Sequence, residues 1–296
     1  MLTEPERQFL DALASDPVAR DVMELRSLVE RLLPLRNQDL PAIGALHEDV
    51  VLRPGLGAEV AVPRSAGPHP VVVYLHGGGW VAGSPRSHRK LAMQFAEHGF
   101  LTVSVDYRLA PEHPFPAAFE DCVFAIEWVM EHARRWNGDG ARLAVAGDSS
   151  GANLAAAALA ALAAEHGPGV RPRAAVLIYG LYDFPAALAR CKDVLALDDM
   201  ARAYAGGGYP AILDDWRLSP LRAVTPGALP PAFVVCGAGD SLVAESRALA
   251  GALARADIRH ELHIVEDMPH GFLQMTNLSA CREAQQRMFG FLRRTL

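Results

Sequence analysis

One stretch restricts this chain more than any other. Arg142 to Ala155 reads RLAVAGDSSGANLA: an apolar strand, a turn of the form G-x-S-x-G, and an Ala-rich helix. That order is a nucleophile elbow. The strand feeds a sharp turn with Ser149 at its apex, in a strained backbone conformation. Gly147 and Gly151 flank it, because a side chain at either would collide with the neighbouring strand and helix. Ser149 is thereby presented above a sheet edge at a helix N-terminus, where free N–H groups and partial positive charge suit a developing anion.

The bare motif is weak. With 25 glycines in 296 residues, it arises by chance in about one such chain in ten, and a glycine-rich turn without chemistry is the competing reading. The flanking strand and long helix strengthen it, and the remaining chain has to supply a base, an acid and oxyanion donors.

Short strands and helices alternate around the elbow. Strands are expected at Glu48–Arg53 and Ala58–Arg64, around the break at Pro54-Gly55, and at Val71–Leu75, Leu101–Val105, Ala174–Tyr179, Ala232–Cys236 and Arg259–Val265. Helices are expected from Pro85 to Gly99 with Ser84 as cap, from Ala117 to Arg135, from Ser246 to Ala256 and from Ala280 to Arg294. This pattern predicts an α/β fold with a mostly parallel central sheet flanked by helices. Residues 1–45 look helical, with an apolar stripe at Val22, Leu25, Leu28, Val29 and Leu32 that ends at Pro34. Residues 183–217 break the alternation and read as an insertion.

Composition excludes several classes. The net charge of −6, without a basic run, leaves nucleic-acid binding no electrostatic footprint. Cys122, Cys191, Cys236 and Cys281 are widely spaced and show no metal pattern, so reduced thiols are expected. The charged N-terminus lacks the apolar core of a secretory signal, and the longest apolar run, Leu154–Ala164, is too short to span a bilayer. A soluble, cytoplasmic protein without a membrane span is expected. The glycine run Gly77–Gly79 is not followed by Lys-Ser or Lys-Thr, and no G-x-G-x-x-G opens a helix, so nucleotide binding is unsupported.

In open α/β sheets, ligands bind beyond the carboxyl ends of the strands. His76–Gly79, Ser149, Asp240 and His270 all follow predicted strands. A serine hydroxyl needs a base, and the base needs a carboxylate to fix its tautomer. His270 follows the last strand beside Gly271 and is the favoured base. His88, His98, His132 and His166 fall in or beside helices and are read as surface or capping residues, while His76 is read as bracing the glycine loop. Asp240 is the favoured acid and Asp183 its rival; Asp267 is expected to point elsewhere, and Asp148 to brace the elbow. The resulting order Ser149, Asp240, His270 is that of α/β-hydrolases. The N–H groups of Gly78, Gly79 and Ser150 can form an oxyanion hole.

His76-Gly77-Gly78-Gly79-Trp80, Asp106 to Glu112 (DYRLAPE), Gly147 to Leu154 (GDSSGANL), Ser219-Pro220-Leu221, Asp240 with Leu242 and Glu245, and His270-Gly271-Phe272 together resemble the hormone-sensitive-lipase-like family of α/β-hydrolase esterases. The likeness runs from about residue 48 to the end. It implies Ser149 as nucleophile, Asp240 as acid, His270 as base and Gly78, Gly79 and Ser150 as oxyanion donors, with no cofactor and no metal. It also implies a catalytic domain of residues 46–182 and 218–296 under a helical cap of residues 1–45 and 183–217. Ser150 and Ala152 in the elbow, Gly239 before the acid and Ser241 after it depart from the usual pattern, without removing a catalytic group.

The expected activity is a serine carboxylesterase acting on small-molecule esters of short to medium acyl chain. The same acyl chemistry would serve a deacetylase or lactonase. A hydrolase fold kept only for ligand binding is disfavoured, because His270 is present. Cap residues Phe184, Met200, Tyr204, Tyr209 and Trp216 are candidates for shaping the pocket, with ordinary packing as the alternative. A homodimer is suggested by the resemblance alone.

Overall fold

Val71–Leu75 has no polar side chain apart from the hydroxyl of Tyr74, and such a run is stable only with both faces covered. In the computed structural model it lies within β3 (His69–Leu75), in the interior of one eight-stranded sheet. The structure describes residues 3–4, 6–8, 10, 21–167, 172–191 and 196–296. Side chains along β3 alternate between two cores: Val71, Val73 and Leu75 face one layer, Val72 and Tyr74 the other.

The other strands are β1 (Ala45–Arg53), β2 (Leu56–Val62), β4 (Leu101–Asp106), β5 (Gly138–Asp148), β6 (Ala174–Ile178), β7 (Ala232–Gly237) and β8 (His260–Val265). Their order across the sheet is β1-β2-β4-β3-β5-β6-β7-β8. β1 pairs antiparallel with β2, and β2 with β4; the remaining neighbours are parallel. Helices α3 (Ala117–His132), α4 (Ser150–His166) and α7 (Val243–Arg255) cover one face. Helices α2 (Arg89–Glu97) and α8 (Ser279–Thr295) cover the other.

Between β6 and β7 lie two short helices, α5 (Phe184–Arg190) and α6 (Leu197–Ala205). The N-terminal stripe forms α1 (Val22–Arg36). Pro34 does not end this helix. The proline ring removes one donor, but the Asn37 N–H still reaches the Leu33 carbonyl at 3.1 Å. The helical reading of residues 1–45 and the cap reading of 183–217 fall partly on residues 11–20 and 192–195, which lie outside the described residues. Arg26 fastens α1 to the body. Its guanidinium donates to the Val81 carbonyl at 2.7 Å, the Ala110 carbonyl at 2.9 Å and both carboxylate oxygens of Glu112.

All four cysteines are buried and free. Among the described residues no helix is long and apolar enough to cross a membrane.

Candidate active site

The elbow takes its shape from close packing. Ser149 has φ 52° and ψ −118°, a region that costs a non-glycine residue about 1–3 kcal/mol. Its N–H is held by the Ile178 carbonyl at 2.9 Å. A Cβ on Gly151 would come within 2.0 Å of the Leu75 carbonyl oxygen, and one on Gly147 within 2.4 Å of the Gly151 oxygen. The expected reason for both glycines is thus met in the structure. Asn153, one turn into α4, donates to the Leu181 and Leu218 carbonyls and ties the elbow helix to the segment bearing α5 and α6.

Three strand ends converge at Ser149. The His270 Nε2 accepts from the Ser149 hydroxyl at 3.0 Å. On the other side of the ring, the Nδ1–H donates to Asp240 Oδ2 at 2.8 Å. Asp240 is buried, and its second oxygen accepts from the Leu242 N–H at 2.8 Å. Burial pulls the imidazole toward its neutral form. The Asp240 charge and hydrogen bond, with Asp148 further off, outweigh it and raise the His270 pKa above the usual histidine range. The Asp240 carboxyl is penalised by burial yet held below its usual range by His270 and by its hydrogen bonds.

Gly78, Gly79 and Ser150 line the same cavity as Ser149. Gly78 has φ 128°, and a Cβ there would lie 2.1 Å from the Ala82 carbonyl oxygen. Among the described residues, the N–H groups of Gly78 and Gly79 have no protein acceptor. Trp80 stacks on Tyr204 of α6 at 5.0 Å and packs on Phe184 at 4.8 Å, fixing the glycine loop against the insertion.

Asp148 braces the elbow as expected. Its Oδ1 accepts from the Tyr74 hydroxyl at 2.5 Å and the Gly77 N–H at 2.9 Å. His88 corrects the sequence reading. It is buried, not a surface or capping residue, and its Nε2 stands 3.4 Å from Asp148 Oδ2. Nothing in the spacing of a lone histidine before α2 signals this, since His88 and Asp148 are far apart in the chain and meet only in the fold. His98 is half-buried and stacks on Phe289. His76 is buried and stacked on Tyr107 at 4.2 Å, with Nδ1 2.8 Å from the Gly77 carbonyl. Burial, and the neighbouring His88, lower its pKa to about 3, so it stays neutral. Asp240, and not Asp183, pairs with the imidazole; Asp183 caps α5, accepting from the Ala186 N–H at 3.0 Å.

The cavity above Ser149 measures about 910 Å³. Leu25, Val29 and Leu32 of α1 wall one side, and Leu197 and Met200 of α6 another. Of the five insertion residues singled out in the sequence, Met200 alone lines it; Phe184 and Tyr204 are buried packing, and Trp216 packs on Phe119. Sequence reading missed Arg36, Tyr179 and Gln274, which also line the cavity. The arrangement can move a proton from a serine hydroxyl to an imidazole beside unengaged amide donors.

Residues 72–274 match a protein-family model described as the alpha/beta hydrolase fold. The chain belongs to the α/β-hydrolase family. Carboxylesterase NlhH of Mycobacterium tuberculosis is 35% identical over 244 residues, 77% of this chain and 74% of the relative. Esterase LipI of the same organism is 35% identical over 237 residues, 74% and 70% of the two chains. These relatives place the chain in the family's hormone-sensitive-lipase-like branch. An esterase of Pyrobaculum calidifontis superposes with a TM-score of 0.87 at 30% identity, covering 99% of this hydrolase and 98% of the other chain. A thermostable esterase from Pseudomonas putida does so with a TM-score of 0.86 at 26% identity, covering 100% and 98%.

Proposed function

We propose that this hydrolase is a serine carboxylesterase that cleaves short- to medium-chain acyl esters through an acyl-enzyme. The observation that carries the reading is the unbroken hydrogen-bonded line from Ser149 through His270 to Asp240, at the foot of a cavity that also exposes unengaged amides. Relatives named carboxylesterase and esterase support the same chemistry.

Ser149 Oγ attacks the ester carbonyl carbon while His270 Nε2 takes the hydroxyl proton. Negative charge gathers on the carbonyl oxygen, where the N–H groups of Gly78, Gly79 and Ser150 receive it. Asp240 stabilises the imidazolium without taking its proton. The bond to the alcohol oxygen then breaks, and His270 delivers the proton to that oxygen. A water molecule repeats the sequence on the acyl-enzyme, releasing the acid and restoring Ser149.

Residues 46–182 and 218–296 form the catalytic body in this reading, and 1–45 and 183–217 the cap. The lining of the cavity by α1 and α6, and the clamp of Arg26 on Glu112, support it. A walled cavity of this volume suits a whole small ester.

An organophosphonate ester tests the assignment. One covalent adduct on Ser149 is expected, with activity lost in step. Failure to label Ser149 in folded protein removes the reading. Rates on p-nitrophenyl esters from acetate upward should peak at short to medium chains; a maximum on the longest would overturn the chain-length assignment.

A further inference from the structure

Arg36, at the C-terminal end of α1, reaches into the cavity beside His88 and Gln274. Its guanidinium has no ion pair or hydrogen bond among the described residues. That is unusual for a half-buried arginine, which carries five donors and a permanent charge. Of the other charged side chains lining the cavity, Lys90 donates to the Gln38 carbonyl at 2.8 Å, while Asp39 and Glu97 are exposed to solvent. Asp148 attracts Arg36 across a gap, but its oxygens are taken by Tyr74, the Gly77 N–H, His88 and Gln274.

A second unmet donor lines the same cavity. Tyr179, directly after β6, is wholly buried, and its hydroxyl has no hydrogen-bond partner among the described residues. Its ring lies 4.8 Å from that of His270. A buried hydroxyl without a partner is destabilising, and a half-buried guanidinium whose donors are unused is partly stripped of water without compensation. Two such groups lining one cavity are explained if a ligand completes them. The ligand must be anionic and must accept hydrogen bonds.

We propose that this hydrolase selects esters that carry a carboxylate, held by Arg36 with Tyr179 as a supporting donor. The proposal rests on the esterase reading above and names the substrate class of the same site. Arg36 and Tyr179 bind and position the ester; the reacting atoms remain those of Ser149 and His270. The carboxylate can belong to the acyl or the alcohol part, and paired substrates tell the two apart.

The experiment reads, for each enzyme variant, the ratio of kcat/KM for an anionic ester to that of a neutral analogue. Mono-p-nitrophenyl adipate against p-nitrophenyl hexanoate reports a carboxylate on the acyl part. p-Carboxyphenyl hexanoate against phenyl hexanoate reports one on the alcohol part. Arg36→Met is expected to lower the ratio about tenfold or more in one pair, chiefly through KM, as loss of a charge-assisted contact should. Arg36→Lys should recover part of that loss, and Tyr179→Phe should lower the same ratio a few-fold. Taking the ratio within one variant cancels any change in the fraction folded. Ratios unmoved by Arg36→Met in both pairs would overturn the proposal, and so would a loss confined to kcat and equal for charged and neutral esters. Failure of the unmodified enzyme to turn over any of the four esters would instead count against the esterase reading itself.

Discussion

The hydroxyl of Tyr74 on β3 donates to the carboxylate of Asp148 on β5 at 2.5 Å, with both side chains buried. The same carboxylate oxygen accepts the Gly77 N–H. One acidic group, immediately before Ser149, therefore fixes both the elbow and the start of the glycine loop. Removing the hydroxyl leaves a buried carboxylate short of a donor. Tyr74→Phe should lower stability by about 1–3 kcal/mol, read as a shift in the urea midpoint at unchanged slope.

Asp148 also sets a pH dependence of stability. Burial raises its pKa, but the electrostatic attraction and hydrogen bond of the neighbouring His88 imidazole and the hydrogen bond from Tyr74 more than reverse this and leave it below the ordinary carboxylate range. A depressed folded-state pKa contributes stability that is complete above the unfolded value and is lost as pH falls through the folded one. Asp148→Asn should therefore shrink the stability difference between neutral and acid pH in urea titrations. An unchanged acid dependence would refute this.

In the proposed mechanism His270 must be neutral to accept a proton from Ser149, and its pKa is raised by Asp240. The rate kcat/KM should accordingly rise with pH along a limb whose midpoint lies above the usual histidine value. Asp240→Asn removes the charge and the tautomer control. It should shift that midpoint down and reduce kcat by about 10³–10⁴, measured by a pH–rate profile on a soluble ester.

Gly151→Ala would force a Cβ to 2.0 Å from the Leu75 carbonyl oxygen, against backbone that cannot yield. A destabilisation of more than about 2 kcal/mol is expected, with activity lost together with the fold. Thermal unfolding checks it; a melting temperature equal to that of the unaltered enzyme would contradict the packing described.

Met200 lines the cavity, and its sulfur lies where a side chain on Gly79 would stand. Met200→Ala should enlarge the acyl space and move the chain-length optimum upward by a few carbons. The p-nitrophenyl ester series reads this directly, and an unmoved optimum would take Met200 out of chain-length selection.

Strand and helix positions were legible because each depends on nearby residues. The continuous apolar run Val71–Leu75 needs two covered faces, and the step from Gly147 to Gly151 admits few other backbones. Ends were less legible. The expected helix from Ala117 to Arg135 stops at His132 and continues as a tighter turn to Trp136, and α1 runs past Pro34. Propensity alone does not set where a helix frays.

The amino-acid order by itself determined the α/β alternation, the elbow and the placement of Asp240 and His270 after their own strands, since these follow from local pattern. Only the tertiary structure decided that Asp183 caps a helix, that His88 turns inward to Asp148, and that Arg36 and Tyr179 line one cavity with no hydrogen-bond partner for either among the described residues. Those outcomes depend on which residues distant in sequence the sheet order brings within hydrogen-bonding distance, and a contact of a few ångströms across strands leaves no periodic trace along the chain.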